Sequence, residues 1–397
     1  MTLRFGRQMV VSPGPSVIPD RVLAAMATPM PNMYAGEIVD ISDRVFATLP
    51  SLARTTGEAF LTISNGHGAW QMALNNTLSR GDTVLVVETG RFAKFWGEMA
   101  AVSGIKIETI EGPERATIDP ALVEAHLAAD VDHRIKAVLI VLCDTATSVR
   151  NDIAAVRAAI DAAGHPALYM VDAIASLACD RYEMDAWGVD VTVAAGQKGV
   201  MVPPGIAFVW ASEKAVAAYE HADLRTGYFD WGPRMNPEVT YQLYCGTLPI
   251  PHLYGLQEAL TMIEEEGGLE AVWQRHEVLA RAVHAAVDTW STPGWIEANI
   301  TDPAHRSNAV TMVRTGQLDA TRLAAVCEHQ AGLVLGHGIG GYEGRAFRIG
   351  HMGHLNPPMI LGTLGTLESV LQSLDVPLGG SGVAAAAAVI ADAVDAG

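Results

Sequence analysis

Between residues 58 and 212, short apolar runs rich in β-branched residues alternate with Ala-rich stretches of helical period, and this alternation limits the fold more than any other feature of the 397-residue chain. AFLTIS at 59–64, TVLVVE at 83–88, KIETI at 106–110, AVLIVL at 137–142, ALYMVD at 167–172, VTVAAG at 191–196 and GIAFVW at 205–210 read as strands. HGAWQMALNNTL, FAKFWGEMAAVSG, DPALVEAHLAA and NDIAAVRAAIDAAG between them carry the wider helical period. Strands and helices in alternation build an α/β fold with a mostly parallel sheet covered on both faces. Ligands of such sheets bind at the carboxyl ends of the strands, so the residues just after each run matter most.

Residues 213 to about 256 break the rhythm with Gly, Pro, Trp and Tyr, as a functional or interface loop does. A long amphipathic run follows, from about Gly255 to Ser291, then a smaller α+β region with strand candidates WIEANI, NAVTMVR, LVLGHG and FRIGHMG. The terminal VAAAAAVIADAVDA reads as an Ala-rich helix. The chain is thus expected to divide into an N-terminal segment (1–20) that joins the small domain, a large domain (21–256) and a small C-terminal domain (257–397).

Half of the residues are hydrophobic and 18% are charged, enough apolar surface for a large core. The 26 basic residues against 44 acidic ones give a net charge of -18 without a Lys/Arg cluster, which argues against a nucleic-acid partner. Cys143, Cys179, Cys245 and Cys327 lack CxxC spacing, so neither a disulfide framework nor a zinc ribbon is expected. The N-terminus has too short an apolar stretch for a signal peptide, and no run approaches a membrane span. The expectation is a cytoplasmic enzyme or binding protein without a membrane partner.

The strongest local signal is Gly196-Gln197-Lys198-Gly199, directly after VDVTVAA. A lysine at a strand end between glycines suits Schiff-base formation with an aldehyde. Asp172 closes the strand ALYMVD, and Lys198 follows it 26 residues later, after one crossover and one more strand. Adjacent parallel strands would present this carboxylate and amine at one sheet edge. Pyridoxal phosphate needs such a pair, a lysine to form the imine and an acid to keep the pyridine nitrogen protonated. Taken singly, Asp172 serves equally well as a helix cap; its pairing with Lys198 favours the cofactor. Ser64-Asn65-Gly66-His67-Gly68-Ala69-Trp70, between a strand and a helix, forms a phosphate cup of backbone N–H groups. His67 has no partner at ligand spacing, so no metal is expected, and the motif matches neither GxGxxG nor GxxxxGK[ST].

SNGHGAW, CDTATS, VDAIAS, GQKGVMVPPG and FRIGHMG, in this order, resemble the motifs of the class V aminotransferases of pyridoxal-phosphate fold type I, and within them the alanine/serine–glyoxylate aminotransferase group. The resemblance runs from SPGPSVIP at residue 12 to the tail GSGVAAA. It implies a seven-stranded large-domain sheet, with Lys198 as the Schiff-base lysine and proton shuttle and Asp172 on the pyridine nitrogen. Asn65, Gly66, His67 and Gln197 would hold the phosphate. Phe92 would stack on the ring, its alternative being a core phenylalanine, and Thr145 would contact the phenolic oxygen. Tyr244 and Thr247 would reach the phosphate of the neighbouring subunit, which makes a shared site in a homodimer. Arg348 would clamp the substrate carboxylate with its planar fork, a role for which Arg345, in the turn EGRA, is the weaker candidate.

The implied reaction moves the amino group of serine, alanine or aspartate to glyoxylate or a similar 2-oxo acid. Donor choice would rest on residues 31–37 and 225–250, where Met33 and Tyr34 either narrow the pocket, with Tyr34 offering a hydroxyl, or pack at an interface. An aspartate donor would call for a second cation, and Arg91, Arg225 and Arg234 are open candidates. A pyridoxamine–pyruvate aminotransferase carries an arginine nine residues before the one matching Arg348, and Ile339 stands there. A desulfurase-type lyase needs a mobile cysteine, whereas Cys327 lies in the helical TRLAAVCEHQ. A cofactor-binding regulator would need a basic DNA-reading segment, which the sequence does not contain.

Overall fold

The seven apolar runs pair into one sheet whose strands bury alternate residues on opposite faces. The computed structural model describes residues 2–395. In chain order its strands are β1 (Met9–Val11), β2 (Glu58–Thr62), β3 (Thr83–Glu88), β4 (Lys106–Glu111), β5 (Ile135–Val141), β6 (Cys143–Asp144), β7 (Val149–Arg150), β8 (Leu168–Asp172), β9 (Val191–Ala195), β10 (Ala207–Ala211), β11 (Ile296–Ala298), β12 (Val310–Thr315), β13 (Leu333–His337) and β14 (Ala346–Gly350). The large sheet has the order β2-β10-β9-β8-β5-β3-β4. β10 runs antiparallel to both of its neighbours, and the remaining pairs are parallel.

The period-two alternation is explicit in β3 and β8. Leu85, Val87, Tyr169 and Val171 enter one core with the helices Glu37–Ala53, Ile153–Ala162 and Ile250–Glu266. Val84, Val86, Leu168 and Met170 enter the other, beneath the helices Gly66–Thr77 and Arg91–Val102. Because both faces are covered, the central strands are apolar throughout and only their ends carry chemistry.

The second sheet has the order β1-β13-β14-β12-β11. β1 lies parallel to β13, so the N-terminal segment completes a sheet whose other strands all follow residue 295. The helix Leu269–Trp290 belongs to both regions: Val272 and Trp273 pack with the large sheet, and Leu279, Val283 and Trp290 with the second. Two expectations change here. The amphipathic run expected to be continuous from Gly255 is two helices, Ile250–Glu266 and Leu269–Trp290, broken where Gly267 (φ 114°) and Gly268 (φ 82°) take left-handed conformations. The irregular stretch expected from 213 begins instead with the helix Glu213–Tyr219, capped by the Ser212 side chain on the Ala215 N–H.

The aromatic loop that follows is pinned to the sheet by Arg234, which is 4% exposed. Its guanidinium donates to the carbonyls of Leu61 (2.8 Å), Leu243 (2.7 Å) and Tyr228 (2.7 Å). Among the described residues, no helix is long and apolar enough to cross a membrane, and no group of three His, Cys, Asp or Glu side chains could hold a metal ion. Replacing Arg234 by Met would strand three carbonyls without a charged donor. Arg234→Met is therefore expected to lower the urea midpoint of unfolding, with a loss of about 3 kcal/mol; a midpoint equal to that of the parent would show that the loop does not depend on this anchor.

Candidate active site

The carboxyl ends of β3, β5, β8 and β9 lie on one edge of the large sheet, and β2, two strands from β9 across the antiparallel β10, points the same way. A cavity of about 180 Å³ opens at this edge. Of the residues singled out in the sequence, Asn65, Gly66 and His67 line it from the end of β2, and Phe92 from the end of β3. Thr145, Asp172, Gln197 and Lys198 line it from the ends of β5, β8 and β9.

Lys198 is half-buried, and its Nζ donates to the carbonyl of Pro13 at 2.5 Å. The amine lies so close to Gly14 (φ 98°) that a Cβ there would collide with the lysine's Cε and Nζ. Glycine is thus required at position 14 twice over, by backbone conformation and by the lysine. Ser16 closes the strap, its N–H on the Gln197 carbonyl (2.9 Å) and its hydroxyl on the Lys198 carbonyl (2.8 Å). Burial, helped by the Arg348 charge, lowers the Lys198 amine to a pKa of about 8, against the pull of Asp172.

Asp172 is fully enclosed, and burial pushes its carboxyl up to about 7. Two donors oppose that rise: the Ile174 N–H on Oδ1 (2.7 Å) and the Trp70 indole N–H on Oδ2 (2.8 Å). Through the Ile174 N–H, Asp172 opens the turn after β8 as a capping residue does.

The helix Gly66–Thr77 aims its N-terminus at the cavity. The Asn65 side chain accepts the His67 N–H at 3.1 Å, and a Cβ on Gly66 would strike the Ile174 side chain. Burial lowers the pKa of the His67 imidazole below its ordinary value. Phe92 is placed by a residue the sequence reading passed over. Asp144, fully buried at the end of β6, accepts the N–H groups of Phe92 (2.8 Å) and Ala93 (3.3 Å) through Oδ2 and that of Ala146 (2.9 Å) through Oδ1. It caps the helix Arg91–Val102 from outside, and a Cβ on Gly90 would collide with its carboxylate. The buried strand-end aspartate in CDTATS was the available signal.

Arg348, on β14 of the second sheet, is 8% exposed. Nε donates to the His337 carbonyl (2.7 Å) and Nη1 to the carbonyl of Thr145 (2.9 Å), a residue of the cavity lining, so the guanidinium stands behind that lining. Burial lowers it to about 10, so it stays cationic at neutral pH.

Four residues expected at the site are not among those lining the cavity of their own chain: Arg348, tied to the lining residue Thr145, and Tyr244, Thr247 and Tyr34. The Tyr244 hydroxyl is buried against the Ser42 hydroxyl at 2.6 Å, Thr247 is exposed, and Tyr34 is 74% exposed on a turn. The turn at 33–36 carries the Tyr34 ring away from this cavity. Of the candidate second cations, Arg234 is spent on backbone carbonyls and Arg225 lies over the Tyr219 ring. Arg345 turns back to the Gly341 carbonyl. Cys327 is buried in the helix Ala320–Ala331, its thiol pushed up to about 12 by burial.

The residues fit pyridoxal phosphate. The Gln197 side chain lines the cavity, and Gly66 leaves the helix N-terminus open where a side chain would strike Ile174. A lysine and an acid enclosed at one edge of a largely parallel sheet, beside a helix N-terminus, define a pyridoxal-phosphate enzyme of fold type I.

Residues 53–340 match the family model described as aminotransferase class-V. The chain is 38% identical to the serine–glyoxylate aminotransferase of Methylorubrum extorquens, over 98% of this chain and 97% of that one. It is 36% identical to the L-aspartate–glyoxylate aminotransferase of Paracoccus denitrificans, over 94% of each. Among solved structures it is similar to the pyridoxamine–pyruvate aminotransferase of Mesorhizobium loti, with a TM-score of 0.89 at 24% identity over 99% of this chain and 100% of that one. The chain belongs to the class V aminotransferase family, and its cofactor is pyridoxal phosphate.

The lowered pKa of Lys198 makes a pH prediction. Its amine becomes neutral, and nucleophilic, as pH rises through about 8, well below the ordinary lysine value. The rate at which the apoprotein takes up pyridoxal phosphate, followed by visible absorbance, is expected to rise between pH 7 and pH 9 and then level off. A rate still climbing tenfold per unit above pH 9 would mean an unperturbed amine.

Proposed function

We propose that the chain transfers the amino group of a small amino acid, serine, alanine or aspartate, to glyoxylate or a similar 2-oxo acid by a ping-pong mechanism. The observation that carries the reading is the joint placement of Lys198 and Asp172 on one cavity wall, with the Arg348 guanidinium beside it. The serine- and aspartate-specific names of the relatives support the substrate class.

When bound, pyridoxal phosphate supplies an electrophilic aldehyde carbon for amines and a ring that stores the electron pair left at Cα. Lys198 Nζ would hold the cofactor until a donor amine displaces it. Freed, with its pKa near 8, it would take the proton from the donor Cα and return it one step later. Asp172 would keep a proton on the ring nitrogen. Asn65, Gly66, His67 and Gln197 would hold the phosphate, Phe92 the ring face and the Thr145 hydroxyl the phenolic oxygen. Arg348 would grip the carboxylate that donor and acceptor share.

The same reading assigns residues 21–256 to cofactor binding and gives 1–20 and 257–397 to the domain that brings Arg348. It also makes the protein a cytoplasmic homodimer in which the exposed Thr247 serves the neighbouring subunit's phosphate, whereas the Tyr244 ring is enclosed in its own chain's core. The buried helical position of Cys327 counts against a desulfurase, and Ile339 against a pyridoxamine–pyruvate enzyme.

The purified protein is expected to be yellow, and Lys198→Ala to abolish the visible band of the lysine-bound cofactor; a band that survives the substitution would remove Lys198 from this role. A panel of serine, alanine, aspartate and glutamate against glyoxylate and pyruvate tests the activity itself. In that assay Arg348→Ala is expected to raise KM for both amino and oxo acids by roughly 10- to 100-fold, and an unchanged KM for both would take the carboxylate away from Arg348.

A further inference from the structure

Trp70 stands one turn inside the helix Gly66–Thr77, with no exposed surface, and lines the cavity without a place among the cofactor- or substrate-holding residues above. Its ring is fixed from several sides. Trp96 stacks on it at 5.9 Å with an interplanar angle of 13°. His67 meets it edge-on at 4.7 Å, Phe95 at 6.0 Å and Phe92 at 6.4 Å. The indole is therefore in contact with the phosphate cradle and the ring-stacking phenylalanine together. Its N–H points to Asp172 Oδ2 at 2.8 Å. Other buried indoles divide: Trp210 donates to the Leu49 carbonyl (2.9 Å) and Trp290 to the Glu368 carboxylate (2.6 Å), while the N–H groups of Trp96, Trp231 and Trp273 have no partner.

An indole N–H donates and can do nothing else. The other oxygen of Asp172 receives the Ile174 backbone N–H, which is likewise a donor only. Both bonds are stronger to a carboxylate than to a neutral carboxylic acid, so each favours the ionised form. That help is needed, because the acid is enclosed. The charged or titratable groups that face it are Lys198, which favours the carboxylate, and Asp144, which opposes it; Tyr182 also lies near.

We propose that Trp70 is a positioning residue that keeps Asp172 in its carboxylate form, so that the proton shared with the cofactor's ring nitrogen stays on the ring. The proposal rests on the reading that Asp172 faces that nitrogen. A protonated Asp172 would donate to an uncharged ring and weaken the electron sink. The two fixed donors disfavour that state before any ligand arrives.

The test compares pyridoxal phosphate with its 1-deaza analogue, in which the ring nitrogen is a C–H, as ligands of the full-length apoprotein. Position 70 is changed to Phe and, to keep the shape of tryptophan without its N–H, to 3-benzothienylalanine. Loss of a hydrogen bond to a charged group is expected to weaken pyridoxal phosphate by roughly tenfold and the analogue by less than about twofold. In the loaded protein kcat should fall while KM for the amino donor stays the same. Equal weakening of both ligands by the benzothienyl variant, or of neither, would overturn the proposal. Failure of the underlying reading shows in the parent protein alone: equal affinity for the two ligands before any substitution would remove Asp172 from the ring nitrogen.

Discussion

A buried amine and a buried carboxylate at the ends of two adjacent strands set the terms for the rest of this structure. Enclosure moves them in opposite senses, Lys198 down to about 8 and Asp172 up to about 7, because it penalises the charged form of each. Each also favours the charged form of the other, so the pair resists the neutralisation that burial favours. The surrounding donors and acceptors follow from this. The Pro13 carbonyl accepts a hydrogen bond from the amine, and the Ile174 and Trp70 N–H groups donate to the carboxylate. A strand end is a suitable place for such a pair. The sheet behind it is apolar and rigid, while the turn in front supplies free backbone groups.

The second sheet acts on the same pair through close backbone approach. Pro13 and Gly14 continue from β1, so the carbonyl that holds Lys198 travels with the small sheet. A Cβ at Gly350 would meet the Ser12 carbonyl and Pro13 Cα at 2.7 and 2.9 Å, which is why the strap can lie flat beside the strand that carries Arg348. Arg348 is tied in turn to the large sheet through the Thr145 carbonyl. The amine and the guanidinium thus arrive from different sheets, and two crossing contacts fix their relation. The helix Leu269–Trp290, with one end in each core, carries that relation through the body of the molecule.

The strands were legible because both faces of the large sheet are covered, so their runs are apolar without interruption. Lys198, Asp172 and Asn65–His67 were legible because each follows such a run directly, and the topology converts that position into a place on the cavity. Trp70, Asp144 and the Pro13–Gly14 strap were not, since what they do depends on partners far along the chain. Trp70 and Asp172 are 102 residues apart, and Lys198 and Pro13 are 185 apart. No local pattern encodes such a meeting. Trp70 in particular reads as one more apolar residue of an amphipathic helix, which by packing alone it is. The expected continuous helix from Gly255 failed for a different reason: the hydrophobic period survives across the Gly267–Gly268 break, and only the backbone conformation changes.

The two carbonyls on Arg348 also bear on what the proposed clamp can hold. A guanidinium carries five N–H bonds, and the His337 and Thr145 carbonyls take one from Nε and one from Nη1. The three left are one on Nη1 and two on Nη2, and Nη2 has no protein partner among the described residues. One N–H on each of Nη1 and Nη2 suffices to meet the two oxygens of a carboxylate. A lysine could not be held by the protein and still present two parallel donors. The carboxylate is the one group that an amino acid and a 2-oxo acid keep in common, so a clamp fixed on it selects both partners of a transamination while leaving Cα free to change from amine to ketone. What distinguishes one donor from another must then come from walls other than β14.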